Sequence, residues 1–285
     1  MAKRVLVTGA GGYIGRPVTA LLLDAGFEVV ACDRVPEALD PRAQCIGEDI
    51  FADHGDMYER LGGPDTLIHL AWQDGFVHNS STHMQRLSDH VRFLHSMIDG
   101  GCQHIAVMGS MHEVGYYVGA IDENTPCNPL SQYGVAKNAL RQSLLLDAGK
   151  GTFDLLWLRA YYIVSADERG SSIFAKLLQA AARGDTTFPF TSGTNQYDFI
   201  GLDDLAAQIV ACATQTKITG VINTCSGKAV SLAARVEQFI AENHLNIKLE
   251  YGVFPDRPYD SPLVYGDPTK IMSIMAAYAE SNHQL

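Results

Sequence analysis

The chain has 285 residues, long enough for one large α/β domain or one and a half. Hydrophobic residues at 47% and charged residues at 19% are globular values and exclude extended disorder. A net charge of −11 argues against nucleic acid or an anionic membrane as partner, and an anionic substrate would need local basic residues.

The opening Met-Ala-Lys-Arg-Val-Leu-Val runs straight into a strand and a glycine turn, with too short an apolar stretch for a signal peptide. No segment reaches the length of a membrane span, so a soluble, cytoplasmic protein is expected. Short apolar runs bounded by turn residues then recur. Val5–Thr8, Glu28–Cys32, Leu67–Ala71, Ile105–Met108, Leu155–Leu158 and Val221–Thr224 are predicted as buried parallel strands. Between the first two, Tyr13–Asp24 carries Ile14, Val18, Leu21 and Leu22 at helical spacing, and Gly26 closes the helix. This alternation predicts βαβ units and a doubly wound α/β sheet. The second half is richer in loops (Pro189, Ser192-Gly193, Pro255–Pro268), as expected for a smaller lobe over the carboxyl ends of the strands. The expected division is 1–165, completed by about 200–228, for dinucleotide binding, with 166–199 and 229–285 interleaved as the substrate lobe. The six cysteines (Cys32, Cys45, Cys102, Cys127, Cys212, Cys225) are scattered without a C-x-x-C, and most read as small buried hydrophobes in a reducing compartment.

Gly9, Gly12 and Gly15 follow a strand and open a helix. Glycines there permit a tight turn and a close approach to a pyrophosphate, which the helix N-terminus stabilises. Asp33, at the end of the second strand, can accept bonds from an adenosine ribose and repel a 2′-phosphate. That favours NAD, while the adjacent Arg34 keeps NADP possible. Tyr133 and Lys137 stand four apart, on one helical face, so the ammonium can favour the phenolate of a tyrosine whose free pKa is about 10. With the glycine loop, the pair points to hydride chemistry at a carbinol or ketone carbon.

With these residues in view, the chain resembles the extended short-chain dehydrogenase/reductase family, the NAD-dependent epimerase/dehydratase group, over nearly its whole length. Thr8-Gly-Ala-Gly-Gly-Tyr-Ile-Gly15 is similar to the family's cofactor loop, bringing in Tyr13 and Ile14. Asp49-Ile50 resembles its adenine-contacting pair, and His69-Leu70-Ala71 its His-Leu-Ala-Ala segment beside the cofactor. Asn128–Lys137 is similar to its Pro-x-Ser-x-Tyr-x-x-x-Lys block, and Asp198–Asp204 to its Asp-Phe-x-x-Val-Asp-Asp segment. The resemblance implies a Rossmann-type fold and a catalytic Ser110, Tyr133 and Lys137; aligning Val114 instead of the glycines would put Met111 in the place of Ser110. It further implies a sugar or nucleotide-sugar substrate, and a homodimer is expected.

Three departures bear on the substrate. The family's Arg-x-x-Asn is Arg159-Ala-Tyr-Tyr162 here, and its Arg before Asp-Phe is Tyr197; Arg257 matches a second phosphate-binding Arg. The run Ser110–Tyr117 resembles a segment of uronate dehydrogenases in which a His, here His112, contacts a free sugar acid. His112-Glu113 alternatively echoes the Asp-Glu acid/base pair of sugar-nucleotide dehydratases, and a plain loop histidine is the bland alternative. Met111, His112, Tyr162, Tyr197 and Arg257 are thus the substrate-side candidates, with Ser110. His78, His83, His90 and His95 lack convincing metal spacing, and no metal is expected. Reduction of a nucleotide-linked 4-keto-6-deoxy sugar is the leading expectation. A free sugar or uronate dehydrogenase, a nucleotide-sugar 4-epimerase and a non-catalytic NAD(P)-binding regulator are the alternatives.

Overall fold

The computed structural model describes residues 4–52, 55–256 and 260–282. Its main sheet has seven parallel strands, in the order Gly220–Thr224, Asp154–Ala160, His104–Ser110, Thr66–His69, Arg4–Thr8, Glu28–Asp33, Gln44–Gly47. Six are the expected strands. One of them stops at His69 rather than Ala71, because Leu70 gives a last bond to the Thr8 carbonyl (3.1 Å) and the chain then turns beneath the glycine loop. The seventh, Gln44–Gly47, has only Ile46 partly buried and no apolar run to announce it. Cys45 is therefore exposed on this edge strand, against the expectation for buried cysteines, whereas Cys32, Cys102, Cys212 and Cys225 are buried.

Alternation along the first strand shows why both sheet faces are covered. Val5 and Val7 enter one apolar cluster and Leu6 the other, each at most 1% exposed. The chain starts mid-sheet, runs out to Gln44–Gly47 and returns on the other side at Thr66–His69. The reversal opens a crevice at the carboxyl ends of Arg4–Thr8 and Thr66–His69, where doubly wound sheets hold their ligands. The first helix is Gly15–Asp24, starting two residues later than Tyr13 because the glycine loop still occupies 9–14. It ends as expected: Gly26 (φ +80°) bonds to Leu23 (3.0 Å) and Phe27 to Leu22 (3.1 Å), the paired bonds of a left-handed C-terminal cap.

A second sheet runs Ala229–Ser231, Gln196–Gly201, Leu263–Gly266, Gly119–Ile121, with Tyr162–Val164 also paired to Gln196–Gly201. Leu263–Gly266 lies within the stretch read as loop from the prolines around it. Asp198 ties this sheet to the end of the main one. Fully buried, its carboxylate accepts from Ser226 N (2.9 Å) and Oγ (2.6 Å), Gly227 N (2.9 Å) and Gly266 N (3.1 Å). Among the described residues no helix is long and apolar enough to cross a membrane.

Candidate active site

At the crevice, Gly9 adopts φ +69°, and a Cβ there would sit 2.7 Å from the Ala71 nitrogen, so loop and Leu70-Ala71 pack backbone to backbone. A Cβ on Gly15 would overlap the Gly9 carbonyl oxygen, and Gly12 N donates to that same oxygen at 3.0 Å. Ile14, the N-cap of the first helix, offers no side-chain cap; Arg16 N already donates to the Gly12 carbonyl (3.2 Å) and Pro17 has no amide hydrogen, which leaves the Gly15 amide for a ligand. Asp33 Oδ2 accepts from Gly11 N (3.1 Å) and Oδ1 from Arg34 N (2.8 Å), so the carboxylate is fixed at the loop's flank with Arg34 exposed beside it. Asp49 is exposed and accepts from Phe51 N (3.1 Å), and Ile50 is buried. A cleft over the loop is lined by Gly11, Gly12, Tyr13, Phe76, Asp167 and Arg169. A dinucleotide fits these residues: the backbone leaves open the space that side chains would fill, and a carboxylate stands at the second strand's end.

Helix Gln132–Ala148 begins at Ser131, whose hydroxyl accepts from Gly134 N (3.1 Å). Another first-turn amide, that of Tyr133, donates to the His78 carbonyl (2.9 Å), which ties the helix to the loop after Thr66–His69. One turn on, Lys137 is 3% exposed, and its Nζ donates to the Met108 carbonyl (2.7 Å), 5.9 Å from the Tyr133 ring centre. Ser110, 6% exposed, ends strand His104–Ser110, near enough to Tyr133 for its hydroxyl to favour the phenolate. The hydroxyl, phenol and ammonium expected together are thus together. Burial pushes the Tyr133 phenol above its ordinary value, opposed by the Ser110 hydroxyl and reinforced by the charge of Glu113. Burial lowers Lys137 to about 7, and Glu113 pulls the other way.

Glu113 does not face the crevice. Completely buried, it accepts from Ser110 N (2.6 Å) and, through both oxygens, from Trp157 Nε1 (3.0 Å each), with Arg141 Nε and Arg159 Nε at 3.5 and 3.6 Å. Ser110 and Glu113 thereby cap one short turn reciprocally, Ser110 Oγ taking His112 N (3.3 Å). The dehydratase-like acid/base reading of His112-Glu113 is overturned by this orientation. Met111 is buried in the apolar core, 6% exposed. His112 lies 4.3 Å from His78, 6.1 Å from Tyr133 and 6.3 Å from Tyr162, ring centre to ring centre, and burial lowers it to about 4. Tyr162 packs on Tyr197 at 4.6 Å, and Tyr197 Oη accepts from Asn195 Nδ2 (3.1 Å), so the row of rings reaches the second sheet. Arg257 lies outside the described residues.

Sequence reasoning passed over Trp72 and weighed His78 and His83 only as metal ligands. His78 stacks on Tyr133 at 5.5 Å and 11°, and His83 meets its ring edge at 5.3 Å. The available signal was Trp72 itself, standing where the resembling His-Leu-Ala-Ala segment has a small residue. The histidines hold one another and their neighbours: Thr8 Oγ1 to His69 Nδ1 is 2.8 Å and His69 Nε2 to His90 Nδ1 is 2.9 Å. Burial lowers His69 to about 3 and carries His90 well down as well, so both are neutral at pH 7. Among the described residues no group of three His, Cys, Asp or Glu could hold a metal ion.

Residues 5–225 match the NAD dependent epimerase/dehydratase family. A dTDP-6-deoxy-L-talose 4-dehydrogenase (NAD(+)) of Aggregatibacter actinomycetemcomitans is 44% identical over 268 residues, covering 92% of this chain and 98% of that one. A dTDP-6-deoxy-L-talose 4-dehydrogenase (NAD(P)(+)) of Kitasatospora kifunensis is 27% identical, covering 89% and 83%. The fold is shared with the UDP-N-acetylglucosamine 4-epimerase of Methanobrevibacter ruminantium M1, solved with UDP-N-acetylmuramic acid, at TM-score 0.83 and 20% identity over 96% and 92% of the chains.

Proposed function

The chain belongs to the NAD-dependent epimerase/dehydratase family, and on that premise we propose that it is an NAD-dependent oxidoreductase acting at C4 of a nucleotide-linked 6-deoxy sugar. Its substrate pair is a dTDP-6-deoxyhexose and the corresponding 4-ketone. The observation that carries this reading is the 44% identity to the talose 4-dehydrogenase over almost the whole of both chains. The grouping of Ser110, Tyr133 and Lys137 at the crevice supports it chemically.

A bound nicotinamide supplies the hydride acceptor, or the donor in reduction. Their placement supports the following roles for this chain's residues. In oxidation the Tyr133 phenolate takes the C4 hydroxyl proton as the hydride leaves; in reduction the phenol returns it. Ser110 hydrogen-bonds the C4 oxygen, and the Lys137 ammonium favours the phenolate electrostatically. Gly9, Gly12, Tyr13, Ile14 and Gly15 hold the pyrophosphate side, with Leu70 and Ala71 beneath them. Asp33, flanked by Arg34, takes the adenosine ribose, and Asp49 and Ile50 the adenine. His112, Tyr162 and Tyr197, with Met111 behind them, line the sugar end. The cofactor is held by 1–165 with about 200–228, and the sugar by 166–199 and 229–285.

A neutral His112 offers no charge to the carboxylate of a free uronate, which weighs against that alternative. The packed Tyr162 and Tyr197 rings favour one fixed sugar orientation over the rotation an epimerase needs. The test is dTDP-6-deoxy-L-talose with NAD, followed at 340 nm with NMR of the sugar product. NADH formed one-to-one with the 4-ketone is expected. A C4 epimer without net change in cofactor would refute the reading.

A further inference from the structure

Lys137 carries three donors into a site where the Met108 carbonyl takes one, at 2.7 Å. Among the described residues no carboxylate lies within ion-pair distance of it; the buried Glu113 instead faces Arg141 and Arg159. What lies nearest is an aromatic face: Nζ stands 3.6 Å from the centre of the Trp72 ring. Such contact between a desolvated ammonium and an indole is the strongest form of cation–π attraction in proteins.

Trp72 is itself held on several sides. Its ring stacks on His90 at 4.2 Å and 19°. Its Nε1–H donates to His83 Nδ1 (3.1 Å), which leaves the His83 proton on Nε2, facing the Val77 carbonyl at 3.0 Å. The same loop brings His78 against the Tyr133 ring and its carbonyl to the Tyr133 amide. Trp72 also meets the Tyr133 ring edge-on at 6.0 Å.

We propose that Trp72 is a positioning residue, whose indole face seats the buried Lys137 ammonium beside Tyr133 and keeps it charged without a carboxylate. The proposal rests on the reading of Lys137 as part of the reacting set. A carboxylate in that place would bind the ammonium in a fixed pair and spend its charge there. An indole stabilises the cation while leaving its remaining N–H groups to be directed elsewhere. The groups facing Lys137 agree with this division of labour. His69 and His90 are neutral, Tyr133 is a phenol in the free protein, and Glu113 supplies the charge that opposes the lowering of Lys137 by burial.

The experiment is a pH titration of the free protein labelled with 13C at lysine Cε, in wild type, Trp72→Phe and Trp72→Leu. Lys137 is assigned as the resonance missing from Lys137→Met. Wild-type Lys137 is expected to titrate near neutrality. Leucine keeps an apolar wall without a π face, so Trp72→Leu should lower that pKa by roughly one unit, while Trp72→Phe stays near the wild-type value. An unchanged or raised value in Trp72→Leu overturns the proposal. Should that variant fail to fold, intrinsic fluorescence decides. Indole emission should change through the Lys137 titration in wild type and not in Lys137→Met; emission that changes identically in both overturns the proposal. Neither measurement uses substrate. Normal turnover by Lys137→Met would refute the catalytic reading of Lys137, and a failed titration would refute the seat.

Discussion

Replacing Glu113 by Gln keeps shape and volume but removes one charge from a site that is entirely closed to solvent. The amide oxygen can still serve Ser110 N and one geometry of Trp157 Nε1, but the new NH2 must stand where Oε2 met Trp157 Nε1, Arg141 and Arg159. Breaking a buried ionic cluster by removing one partner costs about 3–5 kcal/mol. The lower part of that range applies, because Arg159 Nη1 keeps the Asp122 carbonyl at 2.9 Å and Arg141 Nη2 keeps Asn138 at 2.8 Å. For a chain of this length the unfolding entropy is roughly 0.6 kcal/mol/K, so a loss of about 3–4 kcal/mol lowers Tm by about 5–7 °C. Differential scanning calorimetry at pH 7 measures it. Turnover should fall as well, since Ser110 N then donates to a weaker, neutral acceptor, and the pKa values of both Lys137 and Tyr133 should drop, because the Glu113 charge raises them. A variant melting within a degree of wild type, with unchanged kcat, would refute this account of the buried cluster.

Tyr133→Phe should abolish turnover yet bind NAD almost as wild type, and Ser110→Ala should raise the barrier by about 2–4 kcal/mol; steady-state rates and calorimetric titration with NAD separate the two effects. Asp33→Ala should raise the ratio of kcat/KM for NADP to that for NAD by freeing Arg34 to meet a 2′-phosphate, and a wild type already preferring NADP would contradict the role given to Asp33. Lys137 binds its proton less tightly folded, at about 7, than unfolded, near 10. Wild type should therefore gain stability relative to Lys137→Met as pH rises from about 7 towards 10, with no such trend below 7; denaturation midpoints across that range check it. Gly9→Ala should weaken NAD binding and stability together, because the new Cβ has both the wrong φ and a clash with Ala71.

The strands were legible where burial on both faces leaves an unbroken apolar run, as in Val5–Thr8 or Ile105–Met108, and illegible at the edge, where Gln44–Gly47 needs no such run. The Tyr133–Lys137 face was readable because helical spacing alone brings the two together. Where a side chain points is decided by neighbours distant in sequence. Nothing near Glu113 says that Trp157 and Arg159, on another strand, draw it inward. Likewise the contact of Trp72 with Lys137 joins a loop and a helix some sixty residues apart, beyond the reach of any local pattern. Tyr162 and Tyr197 stood out as changes of residue type, but that their rings pack together is a consequence of Phe199 pairing with Tyr162 across two strands.

The second sheet gathers Gly119–Ile121, Tyr162–Val164, Gln196–Gly201, Ala229–Ser231 and Leu263–Gly266 from five separate stations along the chain. The proposed sugar end consequently has no cassette that recombination could exchange in one piece; a chimera joined between its strands, from Gly119 to Gly266, pairs strands of two different parents. Changes of sugar preference within this architecture must come by scattered substitutions that each preserve the pairing. Synthesis on the ribosome meets the same constraint: Gly119 waits for Val264, about half the chain away, before its strand has a neighbour. The main sheet gains its last strand at Gly220–Thr224, well before that, so the main-sheet side of the crevice can take shape while the second sheet is still being made.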